Sequence, residues 1–125
     1  MADLLVAVSE GDTKFDPQHM VEVSLQRWPT ADWYAPDPEP EDELAAMLAG
    51  QVTVQDDQRV LIVDFATNLR GIGVEGDDDL AAEFLALLTR SMPIPEDTIV
   101  VMNWADGIAT LRPNMTPDDV HALRT

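Results

Sequence analysis

The sequence contains no cysteine, which removes disulfides, a thiolate nucleophile and any Cys-based zinc or iron–sulfur site. It is almost as poor in bases. One lysine (Lys14) and six arginines stand against 24 acidic residues, a formal charge of −17 over 125 residues. So acidic a surface repels nucleic-acid phosphates and anionic lipid headgroups, since basic side chains hold both. Nucleic acid and membrane are therefore excluded as partners, and a basic protein is favoured, drawn in by long-range steering. No apolar run approaches a membrane span, and the first residues lack the basic flank of a signal peptide. A soluble, cytoplasmic domain is the expectation. With 46% hydrophobic residues the chain has material for a core, and its length fits one domain spanning 1–125.

Acidity of this degree also has a purely compositional explanation. One lysine beside six arginines, with abundant Ala and Asp, is the usage of a high-GC or salt-adapted organism, where negative surface serves solubility. On that alternative the chain is a structural or regulatory module without a particular cationic partner. Charge position separates the two. Residues 32–58 hold eight acids and no base, a local charge of −8, whereas residues 1–31, 59–91 and 92–125 each carry −3. A uniform bias would spread evenly.

Residues 3–8 (DLLVAV) predict a buried first strand. Asp16-Pro17 supplies a helix N-cap and a first-position proline, and Val21, Leu25 and Trp28 follow at helical spacing. The stretch Val21–Gln26 also alternates like a strand, so residues 18–28 carry both signals, with the cap favouring a helix that Pro29 ends. Residues 32–43 (DWYAPDPEPEDE), with three prolines, six acids and no base, predict an acidic proline-rich loop. A helix over Glu41–Ala49 follows, with Leu44, Met47 and Leu48 as its stripe and Gly50 as its stop.

Val52 and Val54 alternate with polar neighbours, Asp56-Asp57 turns the chain, and Arg59–Phe65 (RVLIVDF) is the strongest strand signal. Ile72 and Val74 belong to its hairpin partner. Asp77–Asp79 open a helix over residues 79–91, with Leu80, Phe84, Leu87 and Leu88 on one face. Residues 98–103 (TIVVMN) read as a strand, Asp106-Gly107 as a hairpin turn and Ile108–Leu111 as its return. Thr116-Pro117-Asp118-Asp119 caps a short last helix. Hairpins outnumber βαβ units. The predicted class is α+β, with a largely antiparallel or mixed sheet of about five to six strands and helices packed on one face.

Catalytic and ligand-binding signals are thin. Gly71-Ile72-Gly73-Val74-Glu75-Gly76 matches G-x-G-x-x-G, but it does not follow its strand directly. The aspartates after Gly76 also oppose a pyrophosphate where positive potential is needed. A hairpin strand and its exit turn account for these glycines better. Asp77–Asp79, with Glu75 and Glu83 nearby, offers oxygen ligands for Ca²⁺ or Mg²⁺ without EF-hand spacing, and helix capping explains the run without a metal. Three serines (Ser9, Ser24, Ser91) lie outside any G-x-S-x-G. Asp64, inside an apolar strand, is the best candidate acid or base; pairing with an arginine or facing solvent is the plainer expectation. An enzyme using Asp64 with His19 or His121 ranks third among the functional readings.

The leading expectation joins the acidic segment to its aromatic neighbours, Trp28, Trp33 and Tyr34, with Trp104 as a hairpin-end counterpart. Trp and Tyr serve either as core anchors or as interface hot spots. A small acidic protein of this kind suits a non-enzymatic inhibitor of the immunity or antitoxin type, as found in bacterial toxin systems. Its carboxylates would occupy the basic active-site surface of a nuclease-like toxin or another nucleic-acid-handling enzyme. The candidate contact residues are Asp32, Trp33, Tyr34, Asp37, Glu39, Glu41, Asp42 and Glu43, with Asp56 and Asp57 as a second ridge. No cofactor or metal is expected, and the oligomeric state is left open.

Overall fold

Alternating burial along the strands sets the architecture. In RVLIVDF, Leu61, Val63 and Phe65 are buried while Val60, Ile62 and Asp64 are not, the period-2 pattern of a sheet with one face on a core. A computed structural model describes residues 2–8, 15–34, 48–66, 70–91, 99–104 and 107–122. Seven strands form one sheet: β1 (Ala2–Val8), β2 (Asp32–Tyr34), β3 (Leu48–Asp56), β4 (Arg59–Ala66), β5 (Gly71–Gly76), β6 (Ile99–Trp104) and β7 (Gly107–Thr110). Their order is β2-β3-β4-β5-β1-β6-β7, and every pairing is antiparallel. The described helices are α1 (Pro17–Arg27), α2 (Asp78–Ser91) and α3 (Pro117–Ala122). The class is α+β, with one more strand than the upper expectation. No helix among the described residues is long and apolar enough to cross a membrane.

The additional strand is β2, in residues expected to be loop. Three residues at the sheet edge suffice because Trp33, opposite Val52 in register, lays its ring over Gly50 and meets Phe65 edge-on with centroids 6.2 Å apart. A Cβ at Gly50 would fall inside the indole. The same glycine, expected to stop a helix, therefore belongs to β3 along with Leu48 and Ala49. The rest of that expected helix, 41–47, lies outside the described residues.

Helix α1 begins as its cap predicts: Asp16 accepts from the His19 amide at 3.2 Å, with Pro17 at the first position. Its buried stripe is Met20, Ser24 and Trp28, and Leu25 is 41% exposed, so the inward face is turned from the expected Val21–Leu25–Trp28 line. Helix α2 is the centre of the helical layer, with Leu80, Ala81, Ala82, Phe84, Leu85, Ala86, Leu88 and Thr89 all buried. Asp77 caps it, accepting from the Leu80 amide at 3.0 Å. Gly76 precedes the cap at φ +142, and a Cβ there would collide with the Val60 carbonyl. Only glycine takes that backbone without strain.

Thr89 joins α2 to the segment before α3. Its hydroxyl donates to the Ala86 carbonyl at 2.8 Å and accepts from the buried Met115 amide at 3.0 Å. Thr89→Val keeps the volume but leaves that amide unpaired, so it should cost about 1–3 kcal/mol. Thr89→Ser should recover most of the loss, as read by urea denaturation. Helix α3 opens with a reciprocal cap between Thr116 and Asp119, at 3.0 and 3.2 Å. Hydrogen bonds from Thr116, aided by Arg112, hold the Asp119 carboxyl below its ordinary range. A lowered folded-state value stabilises above the ordinary pKa, and the effect disappears as pH falls through the folded value. The stability difference between wild type and Asp119→Asn should therefore shrink below about pH 4, measured as denaturation midpoints against pH.

Candidate interaction surface

The acidic segment enters the described structure through β2 at the sheet edge. Asp32 lies opposite Thr53 and Tyr34 opposite Gln51. Asp32 is exposed, and Trp33 keeps 38% of its surface accessible while packing over Gly50. Trp33 therefore serves both the core edge and the rim, whereas Trp28 is a core residue, 3% exposed with Arg27 stacked 5.3 Å above its ring. Tyr34 is described through its backbone, and the same holds for Trp104 in β6. Asp37, Glu39, Glu41, Asp42 and Glu43 lie outside the described residues.

The second ridge sits at the tip of the β3–β4 hairpin, reached from β2 through a hydrogen bond from the Thr30 hydroxyl to the Gln55 carbonyl at 2.7 Å. Its two acids differ. Asp56 is held by Arg59 at 2.6 Å, a hydrogen bond that raises Arg59 further above its already high value. Asp57 occupies the turn at φ 59, a conformation Asp tolerates better than most residues. It is exposed and makes no ion pair among the described residues.

Pleating assigns the remaining strand carboxylates to the face turned away from the helices. Asp3 pairs in register with Glu75, and that line continues through Ile62 and Thr53 to Asp32. At about 4.8 Å per strand, Asp32 stands roughly 14 Å from Glu75. Asp64, one row along, accepts from the Gln51 amide at 2.7 Å. Among the described strand residues, none facing this way is Lys or Arg. The described ion pairs Arg27–Glu83, Arg112–Asp119 and His121–Asp79 involve helix residues instead. Sequence reasoning missed this acidic row because register, which local composition does not carry, brings Asp3 and Glu75 together.

The other sequence candidates are placed apart. His19 on α1 contacts the Ser91 carbonyl at 2.6 Å, and His121 on α3 meets Asp79 at 3.2 Å. Both helices pack on the face opposite Asp64, so neither imidazole reaches that carboxylate. The G-x-G-x-x-G glycines are strand β5 and its exit turn, as the hairpin interpretation expected. Asp77 caps α2 and Asp79 pairs with His121. The described residues contain no group of three or more His, Cys, Asp or Glu side chains placed to hold a metal. A notch of about 160 Å³ between the helices is lined by Arg27, Glu83, Ala86, Leu87, Arg90 and Pro117, below the roughly 300–1,000 Å³ of ordinary small-molecule sites.

No family model, curated protein or solved structure matches the chain.

Like charges directly across an antiparallel pair destabilise a sheet. Glu75→Lys converts the exposed Asp3–Glu75 pair into an attractive one and should stabilise the protein by about 0.2–1 kcal/mol. Calorimetry should show the unfolding midpoint rise, and Asp3→Ala should abolish the gain.

Proposed function

We propose that the protein is a non-catalytic acidic binding protein of the immunity or antitoxin type. It neutralises a cationic, nuclease-like toxin domain by covering that domain's basic active-site surface. The observation that carries this proposal is the charge of −8 on residues 32–58, supported by the exposure of Asp32 and Asp57 without ion pairs among the described residues. Carboxylates at the β2 edge and the hairpin tip would stand where substrate phosphates bind. Steering by the surrounding negative potential would accelerate encounter, and placed charge pairs would fix orientation. Trp33, partly accessible at the same edge, would supply the apolar contact that charge alone lacks.

Stopped-flow mixing with the basic product of an adjacent gene tests the proposal. Association should slow about tenfold or more between low and high salt, with dissociation little changed. Combined Asp32→Lys and Asp57→Lys should slow association at low salt while leaving the fold intact. Absence of binding to that product and to other cationic proteins would overturn the proposal, as would salt-independent association.

A further inference from the structure

We propose that the sheet face that no described helix covers is the docking floor for a basic amphipathic helix of the partner, seated along β5. The placement rests on the basic-partner function proposed above and adds where and how that partner binds. Among the described residues, α1 and α2 contact the sheet on its core face, and no helix covers the other. On that other face Leu5, Val60 and Ile108 are 39%, 41% and 75% exposed. Of these, Leu5 lies directly beside β5, opposite Gly73.

Charge selects the occupant. The face holds Asp3, Asp32, Asp64 and Glu75 and, among its described strand residues, no base. A second copy would set carboxylates against carboxylates, and nucleic acid or anionic lipid would meet the same repulsion. A cationic partner instead relieves the conflict between Asp3 and Glu75, which face each other in register with no base on this face among the described strand residues. Lys or Arg at helical spacing would meet these acids, while apolar residues at the intervening positions cover Leu5 and its neighbours.

Shape selects the seat. Gly71 and Gly73 are successive positions on this face of β5, and a Cβ at either would meet only ordinary contacts, 3.8 Å from Ala66 Cβ and 3.9 Å from Asp64 Cβ. Neither has a positive φ. Glycine is thus required at neither position by backbone or by crowding, although it weakens a strand relative to alanine. What the two supply is depth, a trough between Asp64 and Ala66 of β4 and Leu5 and Ala7 of β1. Glycine inside a strand often marks the close approach of another chain. A three-turn helix, about 16 Å long, fits the roughly 20 Å of β5.

The test uses the full chain and an 18-residue Leu/Lys amphipathic peptide, with polylysine as a charge-only control. Amide shifts in NMR should map the peptide to β1, β4 and β5, and its affinity should exceed that of polylysine. Gly73→Val should remain folded with an unchanged or higher unfolding midpoint, yet weaken the peptide at least tenfold; Glu75→Lys should weaken it as well. Shifts confined to the helices or to residues 32–34, with Gly73→Val and Glu75→Lys both binding normally, would overturn the placement. So would a concentration-dependent dimer that Gly73→Val dissolves, because the face would then belong to a second copy. Binding of the adjacent gene's product that ignores both substitutions would reject this docking floor while leaving the proposed function standing. Failure of that product to bind, with the peptide still seated on β5, would reject the function alone.

Discussion

The burial of α2 against one face of the sheet is the contact on which the other features depend. Eight of its fourteen residues are buried, so the helix meets neighbours on most sides rather than along a single stripe. Beneath it lie β4 and β5, and beside it α1 and α3. Its two ends are fixed by polar devices: Asp77 at the start, a local cap, and Thr89 near the finish, which also accepts from the distant Met115 amide. Because the described helices lie on one side, the opposite sheet face carries half-buried and exposed residues, and its acids pair with no described helix.

The same arrangement explains how a chain of net charge −17 tolerates its own repulsion. Several acids sit at helix N-termini, where the helix dipole favours them. Arg27, Arg59 and Arg112 each pair with a nearby carboxylate. Such exposed pairs contribute about 0–1 kcal/mol each, so they tidy local charge without stabilising the fold decisively. Their distribution matters more than their strength: three described arginines are engaged by Glu83, Asp56 and Asp119, and no described strand residue sets a base against the acids of the sheet face.

Sequence periodicity was enough to locate most elements. The alternation in RVLIVDF, the Asp16-Pro17 cap and the Thr116–Asp119 cap each act over a few residues, and each is realised. Strand β2 and the start of β3 were not legible for the converse reason. Residues 32–34 read as proline-rich loop and 48–50 as a helix end, and the pairing exists because an indole from one segment fits the space left by a glycine in another. The inward face of α1 was misjudged for a related reason: Ser24 is buried and Leu25 is not, a choice made by the helix's position over the sheet rather than by residue polarity. The candidate contact residues were legible as an acidic segment, but the separation of Asp56, paired with Arg59, from Asp57, which makes no ion pair among the described residues, needed the turn geometry.

By itself the sequence determined the class of fold, the core-forming strands, the helix caps and the concentration of acid in residues 32–58, because composition, periodicity and capping are local properties. Only the folded arrangement set Asp3 opposite Glu75, placed Asp64 and both histidines on opposite sides of the sheet, and put Gly71 and Gly73 between Asp64 and Ala66 of β4 and Leu5 and Ala7 of β1. Strand order and register are settled by contacts between distant segments, and a one-residue slip would move every one of these side chains to the other face.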